Sequence, residues 1–175
     1  ASFTLIPKFG YIESIDARVT GLKFYESAFE LVPYEQRVYS PSFAQTTTRC
    51  INWELNLAHP APERRIDYTI TAVYYRADGT VFARQTHSAN VQPEWIVSWQ
   101  TTGRGSDQAG NWPVGTYSVD LSVEGELEAR GEFEVTGSVS FTQLRYTLTA
   151  NANPSNGGSV TGGGTYVAGS RVTLQ

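Results

Sequence analysis

The single cysteine, Cys50, and the two histidines, His59 and His87, are the residues from which a nucleophilic dyad could in principle be built. A thiol beside an imidazole produces a nucleophilic thiolate, so a cysteine–histidine dyad is the covalent chemistry these residue types permit. Cys50 falls on the polar face of an alternating run, and neither histidine lies in a motif that would orient its ring. The sequence contains no metalloprotease, nucleophile-elbow, phosphate-loop or dinucleotide-binding motif. We therefore predict no catalytic residues and a protein that is not an enzyme.

Metal and cofactor sites are equally weak in the sequence. Asp107, Gln108 and Asn111 offer oxygen ligands that suit calcium, but one carboxylate is too few for a tight site. One cysteine can form neither an internal disulfide nor a thiolate metal cluster. The glycines of GGSVTGGGTY precede no helical pattern, and hairpin turns explain them better than a phosphate-binding loop. We predict no metal and no cofactor.

Aromatic side chains are the remaining candidates for ligand contact. Trp95 and Trp99 share one face of a predicted strand, where they either fill the core or form a platform on which sugar rings stack. The core is the favoured interpretation, because Ile96 is the only large apolar residue on the opposite face. Consecutive strand residues point oppositely, so one of Tyr74 and Tyr75 should face solvent or a neighbouring domain. The candidate ligand or sugar contacts are Trp95, Trp99, Tyr75 and Trp112.

Composition indicates the setting of the protein. Charged residues are 17% of the 175, the net charge is −4, and aromatic residues reach 13%. Without clusters of Lys and Arg we predict no nucleic-acid partner, and without a long apolar run we predict no insertion into a membrane. Low charge with many Tyr, Thr and Gly is typical of exported all-β proteins. The chain has no methionine, even at position 1, so we expect a signal peptide upstream and a secreted or cell-surface location.

Short alternating runs organise most of the chain. TRCINWELNL (48–57) predicts a half-buried strand with Ile51, Trp53, Leu55 and Leu57 on its apolar face. Asp78-Gly79 and Glu124-Gly125 each separate two such runs, which predicts hairpins. Gly21 predicts a bulge, and the proline-interrupted segment 29–43 predicts a connection with a short edge strand at Arg37–Tyr39. Seven or eight strands at roughly ten-residue spacing predict an all-β, immunoglobulin-like antiparallel β-sandwich.

Two segments resemble known bacterial modules. NWPVGTYSVDLSVEGELEARGEFEV resembles the closing hairpin of bacterial immunoglobulin-like domains, with matching residues at Trp112, Gly115, Tyr117, Val119, Val123, Gly125, Phe133 and Val135. RYTLTANANPSNGGSVTGGGTYVAGSRVTLQ (145–175) is similar to the first half of the divergent internalin B-repeat. The second resemblance implies a secreted, modular, non-catalytic protein.

These patterns divide the chain into four parts. Residues 1–15 form an extended segment or linker, 16–136 the sandwich, 137–143 a linker, and 144–175 a partial B-repeat-like β-module. The partial module should leave Thr147–Ala150 and Arg171–Leu174 without pairing strands. The N-terminal part offers a candidate segment for strand exchange with another copy, formed by Phe3, Thr4, Leu5 and Ile6.

The function predicted from these features is that of a non-catalytic structural or adhesive module of an exported bacterial surface or extracellular protein. One alternative is a carbohydrate-binding or accessory module of a larger secreted enzyme, such as a caspase-like peptidase. Another is a subunit of an extracellular filament joined by strand exchange. Expected partners are neighbouring domains of the same polypeptide, other copies of the chain, or a surface glycan. Exposed aromatic rings in a shallow groove would favour the carbohydrate-binding alternative.

Overall fold

The computed structural model describes residues 9–28, 32–137, 145–152, 157–167 and 169–175. The chain forms two compact units, Ala1–Ser138 and Val139–Gln175. Apart from two short 3₁₀ turns, Glu13–Ile15 and Tyr34–Gln36, the regular structure of the described residues is β-strand. The predicted strand-exchange segment Phe3–Ile6 lies outside the described residues.

The first unit consists of two sheets. The first sheet has the order β1-β2-β4-β7, and its strands are β1 (Tyr11–Ile12), β2 (Ala17–Ser27), β4 (Cys50–Ala58) and β7 (Val97–Gly105). The second sheet has the order β3-β9-β8-β5-β6, and its strands are β3 (Ser42–Ala44), β5 (Ile66–Arg76), β6 (Val81–Val91), β8 (Gly115–Val123) and β9 (Glu126–Thr136). Pairing is antiparallel throughout except between β3 and β9, which run parallel.

This strand order is immunoglobulin-like. Strands β2, β4 and β7 occupy the positions of A, B and E, and strands β5, β6, β8 and β9 those of C, C′, F and G. Near the start of β8, the Tyr117 hydroxyl donates to the Pro113 carbonyl over 2.8 Å, the backbone contact of a tyrosine corner. The predicted immunoglobulin-like β-sandwich is therefore confirmed.

The core lies between the two sheets and is rich in aromatic rings. Phe133 of β9 packs against Phe24 of β2, Phe43 of β3, Tyr117 of β8 and Trp112, with ring centroids 5.2 to 5.8 Å apart. The apolar face of β4 meets this core, as predicted: its residues Ile51, Trp53, Leu55 and Leu57 are buried.

Local turn chemistry agrees with the sequence at both hairpins. Glu124 and Gly125 have φ of 47° and 96°, the left-handed pair of a two-residue turn. At the other hairpin only Gly79 has positive φ, 81°, while the Asp78 carboxylate accepts a hydrogen bond from the Thr80 amide. The predicted hairpin between β5 and β6 is thus confirmed. The predicted bulge lies beside Gly21, where the register with β4 shifts.

Two strand predictions were wrong. The short strand expected at Arg37–Tyr39 is instead β3, Ser42–Ala44, and only Tyr39 forms a single bridge, to Tyr25. Strand β4 was expected to be half-buried, yet Asn52 and Glu54 on its polar face are buried as well. Residues 32–40, which precede β3, cover that face through Arg37 and Tyr39, so the alternation in sequence does not correspond to an alternation in exposure.

Buried tyrosines make the fold sensitive to alkali. Burial raises the pKa of Tyr68 to about 12, and it raises the pKa of Tyr74 further still. The unfolded chain ionises its phenols near pH 10, so this stability is complete below about pH 10 and is lost as pH rises toward 12. We expect urea melts to show that fall, with Tyr68 contributing roughly 2–3 kcal/mol. Tyr68→Phe, which keeps the ring, should flatten the decline; an unchanged slope would contradict the assignment.

The second unit contains one described strand pair. β10 (Arg145–Leu148) runs antiparallel to β11 (Gly164–Val167), and Thr147 pairs with Thr165. Thr147 and Leu148 therefore have a partner, contrary to the expectation that the run from Thr147 would be unpaired. The amide of Thr161 also donates to the carbonyl of Gln175 over 2.8 Å. The resemblance to internalin repeats stays a prediction.

Candidate functional site

The structure does not assemble a dyad from Cys50 and His59. Cys50 is the first residue of β4 and His59 follows its last residue, so the nine-residue strand separates them by roughly 30 Å. Burial raises the pKa of the Cys50 thiol, which contacts the Ser106 carbonyl at 3.8 Å. The ring of His59 contacts the Ser98 hydroxyl, and the ring of His87 packs edge-on against Trp53. Each group is engaged in structural contacts.

The loop considered for calcium is held by hydrogen bonds among its own residues. The side-chain amide of Asn111 donates to the Ser106 hydroxyl over 2.8 Å and to the Gln108 carbonyl over 3.3 Å. Within the described ranges, no group of three or more His, Cys, Asp or Glu side chains is placed to hold a metal ion. Likewise, among the described residues no helix has the length and apolarity needed to cross a bilayer.

Five apolar side chains lie exposed at one end of the first sheet, and we call them the aromatic patch. Their exposed fractions range from 45% to 64%, and the members are Tyr34, Trp95, Ile96, Val97 and Trp99. Residues 95–99 line a groove of about 430 Å³. Exposed apolar side chains grouped in this way mark interaction sites more often than singly scattered ones do.

The patch contradicts the expectation that Trp95 and Trp99 fill the core. Trp99 lies on the outer face of β7, an edge strand, and Trp95 is exposed in the turn just before that strand begins. The inner positions of β7 are polar and bonded: Ser98 is buried against His59 at the end of the neighbouring strand β4, and the Gln100 side chain donates to the Asn90 carbonyl of β6 in the second sheet over 3.1 Å. Because those polar residues occupy the inner face of β7, Trp99 points toward solvent.

A tight turn presents Trp95. Its amide donates to the Gln92 carbonyl over 3.4 Å, and Glu94 between them has φ of 70°. A non-glycine residue in this left-handed region costs about 1–2 kcal/mol. Glu124 in the β8–β9 turn and Asp16 have the same kind of backbone conformation, so this is turn geometry, and it places Trp95 just before β7 begins.

A covering segment completes the patch. Residues 32–40, which we call the strap, cross the outer face of the first sheet between β2 and β3. The Tyr34 ring stacks on the Trp99 indole with centroids 5.1 Å apart and planes inclined by 29°. At the other end of the strap, the Ser40 amide donates to the Phe24 carbonyl over 2.9 Å.

A buried ion pair fastens the strap to β4. The Arg37 guanidinium contacts the Glu54 carboxylate at 2.5 Å, with both side chains at most 8% exposed. The Tyr39 hydroxyl donates to the same carboxylate oxygen over 2.7 Å. Desolvation, followed by the hydrogen bond to Glu54, raises the pKa of Tyr39 to about 12. Arg37 also lies over the rings of Tyr25 and Tyr34, at 5.0 and 5.7 Å from their centroids.

Of the four candidate ligand contacts, the structure brings together Trp95 and Trp99. Trp112 is buried in the core, where its indole N–H donates to the Arg49 carbonyl, so it offers no surface to a ligand. Tyr75 is half-buried and belongs to the second sheet. Sequence reasoning missed Tyr34 and Arg37, because their segment is irregular and carries no periodic pattern.

No family model matches the sequence, and a search of curated proteins finds no match. Solved structures match the chain at low identity and with TM-scores below 0.5. The Pseudomonas fluorescens alkylpurine DNA glycosylase AlkC bound to DNA is 13% identical, with a TM-score of 0.44 over 69% of this chain and 30% of that chain. The chain thus spans less than a third of that enzyme's length.

Two further structures resemble the chain over most of their own length. The C-terminal domain of wzt is 12% identical, with a TM-score of 0.45 over 82% of this chain and 92% of that chain. An immunoglobulin-like protein from Pseudomonas aeruginosa is 11% identical, with a TM-score of 0.43 over 71% of this chain and 99% of that chain. At these identities no function passes from these proteins to this chain.

Proposed function

We propose that the first unit is a non-catalytic binding module of an exported protein and that its aromatic patch binds a neutral carbohydrate. The observation that carries the proposal is the exposure of Trp99 on the outer face of the edge strand β7 and of Trp95 in the turn just before it, with Tyr34 stacked on Trp99. Large rings held in water are unfavourable for the isolated domain, so their exposure is best explained by a ligand that covers them.

The chemistry of the patch suits a sugar. The C–H face of a pyranose packs against an indole or phenol ring, and its hydroxyl groups need hydrogen-bonding partners at the rim. Glu35 and Gln36 adjoin Tyr34 in the chain, Glu94 adjoins Trp95, and all three are exposed. Rings fixed on a strand and by stacking lose little conformational entropy on binding, which favours affinity.

The charges around the patch favour a neutral ligand over an anionic one. Arg37, the cation that contacts Tyr34, is already paired with Glu54 and is buried. The exposed rim residues Glu35 and Glu94 are acidic. Acidic or sulfated polysaccharides would therefore meet repulsion rather than a basic partner.

This proposal unites two of the roles considered from the sequence. An adhesive module on a cell surface and an accessory module of a secreted enzyme would both use the patch to hold a glycan. The filament alternative would instead cover the patch with a second copy of the chain, since β7 is also an open edge to which a strand can add.

Calorimetric titration with neutral oligosaccharides tests the proposal. The panel consists of cellohexaose, chitohexaose, xylohexaose and maltohexaose, each added to the full chain. At least one should bind, and Trp99→Ala and Trp95→Ala should each weaken it at least about tenfold, since a ring stack is worth roughly 1–3 kcal/mol. Tyr146→Ala, which removes an exposed ring from the second unit, is the matched control and should bind normally.

Two outcomes would overturn the carbohydrate assignment. One is a panel in which no sugar binds the folded protein, or in which binding persists without Trp95 and Trp99. The other is concentration-dependent self-association that Trp99→Ala abolishes, which would assign the patch to contacts between copies.

A further inference from the structure

The pair formed by Arg37 and Glu54 is not explained by the sandwich itself. Both charges lie on the outer face of the first sheet, away from the core, and both are removed from water. Desolvating an ion pair costs as much as its attraction returns, so buried pairs are weak evidence for stability and are better explained by a geometric role. Here the geometric role is to hold the strap, and with it Tyr34, in place.

We propose that Arg37 is the positioning residue of the aromatic patch: its ion pair with Glu54 fixes the strap so that Tyr34 lies against Trp99. The ligand-binding consequence rests on the carbohydrate function proposed above, whereas the positioning itself does not depend on any ligand.

Arg37 contacts both the strap, which carries Tyr34, and the sheet, which carries Trp99. Its Nε donates to the Val32 carbonyl over 3.0 Å, which closes the strap on itself around Tyr34. Its Nη1 contacts Glu54 on β4, the strand that pairs directly with β7. Glu54 lies opposite Thr101, two residues from Trp99 on the same face of β7. The ion pair thus ties the Tyr34 side of the stack to the sheet that carries the Trp99 side.

The type of residue matters as much as its charge. A guanidinium is planar and carries donors in a fixed fork, so Arg37 bonds Val32 and Glu54 at once while its plane faces the rings of Tyr25 and Tyr34. A lysine would supply the charge without the fork or the flat face. We therefore expect Arg37→Lys to keep the strap attached but to loosen the Tyr34–Trp99 stack.

Tryptophan fluorescence isolates Trp99 without any ligand. The chain has four tryptophans, of which Trp53 and Trp112 are only 1% and 3% exposed. When Trp95 is replaced by phenylalanine, Trp99 is therefore the one accessible indole. Acrylamide quenching of its fluorescence then measures how far Tyr34 shields the Trp99 ring.

The decisive variant replaces the pair with apolar residues of similar size, Arg37→Met with Glu54→Leu, an exchange that folded proteins tolerate well. We expect its quenching constant to rise to the value of Tyr34→Ala, by at most about twofold because Trp99 is already 48% exposed. Adding Tyr34→Ala to the double variant should then change nothing further, because Arg37 acts through Tyr34. In Tyr34→Phe, which keeps the ring, the fluorescence of Trp99 should be quenched to the same extent as in the parent protein.

The outcomes separate the two proposals. The positioning role would be overturned if the double variant had the same quenching constant as the parent. It would also be overturned if adding Tyr34→Ala to the double variant raised the quenching constant further. Calorimetry with the same four oligosaccharides forms the second arm: the double variant should lose affinity by the same factor as Tyr34→Ala. If quenching behaves as expected but no sugar binds the parent, the positioning role stands and the carbohydrate function fails. Arg37→Lys, which retains the charge, provides the test if the double variant does not fold.

Discussion

Arg37→Ala should lower the free energy of unfolding by about 3–5 kcal/mol, because it leaves the Glu54 carboxylate buried without its counter-ion. Glu54 is fully buried, and one of its oxygens accepts from both Arg37 and Tyr39. After the substitution only the Tyr39 hydroxyl would remain to stabilise the charge. Urea melts followed by far-ultraviolet circular dichroism measure this loss directly.

Two controls distinguish an uncompensated charge from the loss of a large side chain. Glu54→Leu combined with Arg37→Met should be much less destabilising than Arg37→Ala alone, because no charge stays buried. Arg65→Ala removes the arginine of an exposed pair, with Asp67, in which the two side chains are 56% and 66% exposed. That loss should be about 1 kcal/mol or less. Equal losses for Arg37→Ala and Arg65→Ala would show that burial of Glu54 is not the cause.

Sequence was sufficient for the fold where the determinants are local. The apolar residues that alternate along β5 and β8 are buried, and the turn residues Glu124 and Gly125 place the hairpin between β8 and β9. Each of these features involves residues close together in the chain. The corresponding strands and hairpins could therefore be placed without knowing what packs against them.

Sequence failed where exposure depends on distant partners. Trp99 is as apolar as a core residue, yet it faces solvent because Ser98 and Gln100 occupy the inner face of β7, with partners at His59 and Asn90. The periodic pattern fixes which residues share a face, but it does not fix which of the two faces meets the core when both are mixed.

The candidate site adds a second non-local effect. The polar face of β4 would be exposed in an isolated sandwich, and the strap buries it through Arg37 and Tyr39. An irregular segment carries no hydrophobic period, so neither its path nor its stacking of Tyr34 on Trp99 was visible in the sequence.

Trp53→Ala and Phe133→Ala should each cost roughly 3–5 kcal/mol, which approaches the whole stability of a domain of this size. Both residues are almost completely buried between the sheets. The Trp53 ring packs against His87 of β6, and the Phe133 ring contacts rings from β2, β3 and β8. Truncation leaves a cavity that residues held by two hydrogen-bonded sheets cannot close.

A matched tryptophan tests the face assignment within the same protein. Trp99 has the same side chain as Trp53 but lies on the outer face of β7, where it is about half exposed. Trp99→Ala therefore loses mainly the stack with Tyr34 and should cost only about 0.5–1.5 kcal/mol. Urea melts of both variants at one protein concentration give the comparison. A loss below about 1 kcal/mol for Trp53→Ala, or equal losses for the two tryptophans, would mean that β4 and β7 present the opposite faces to the core.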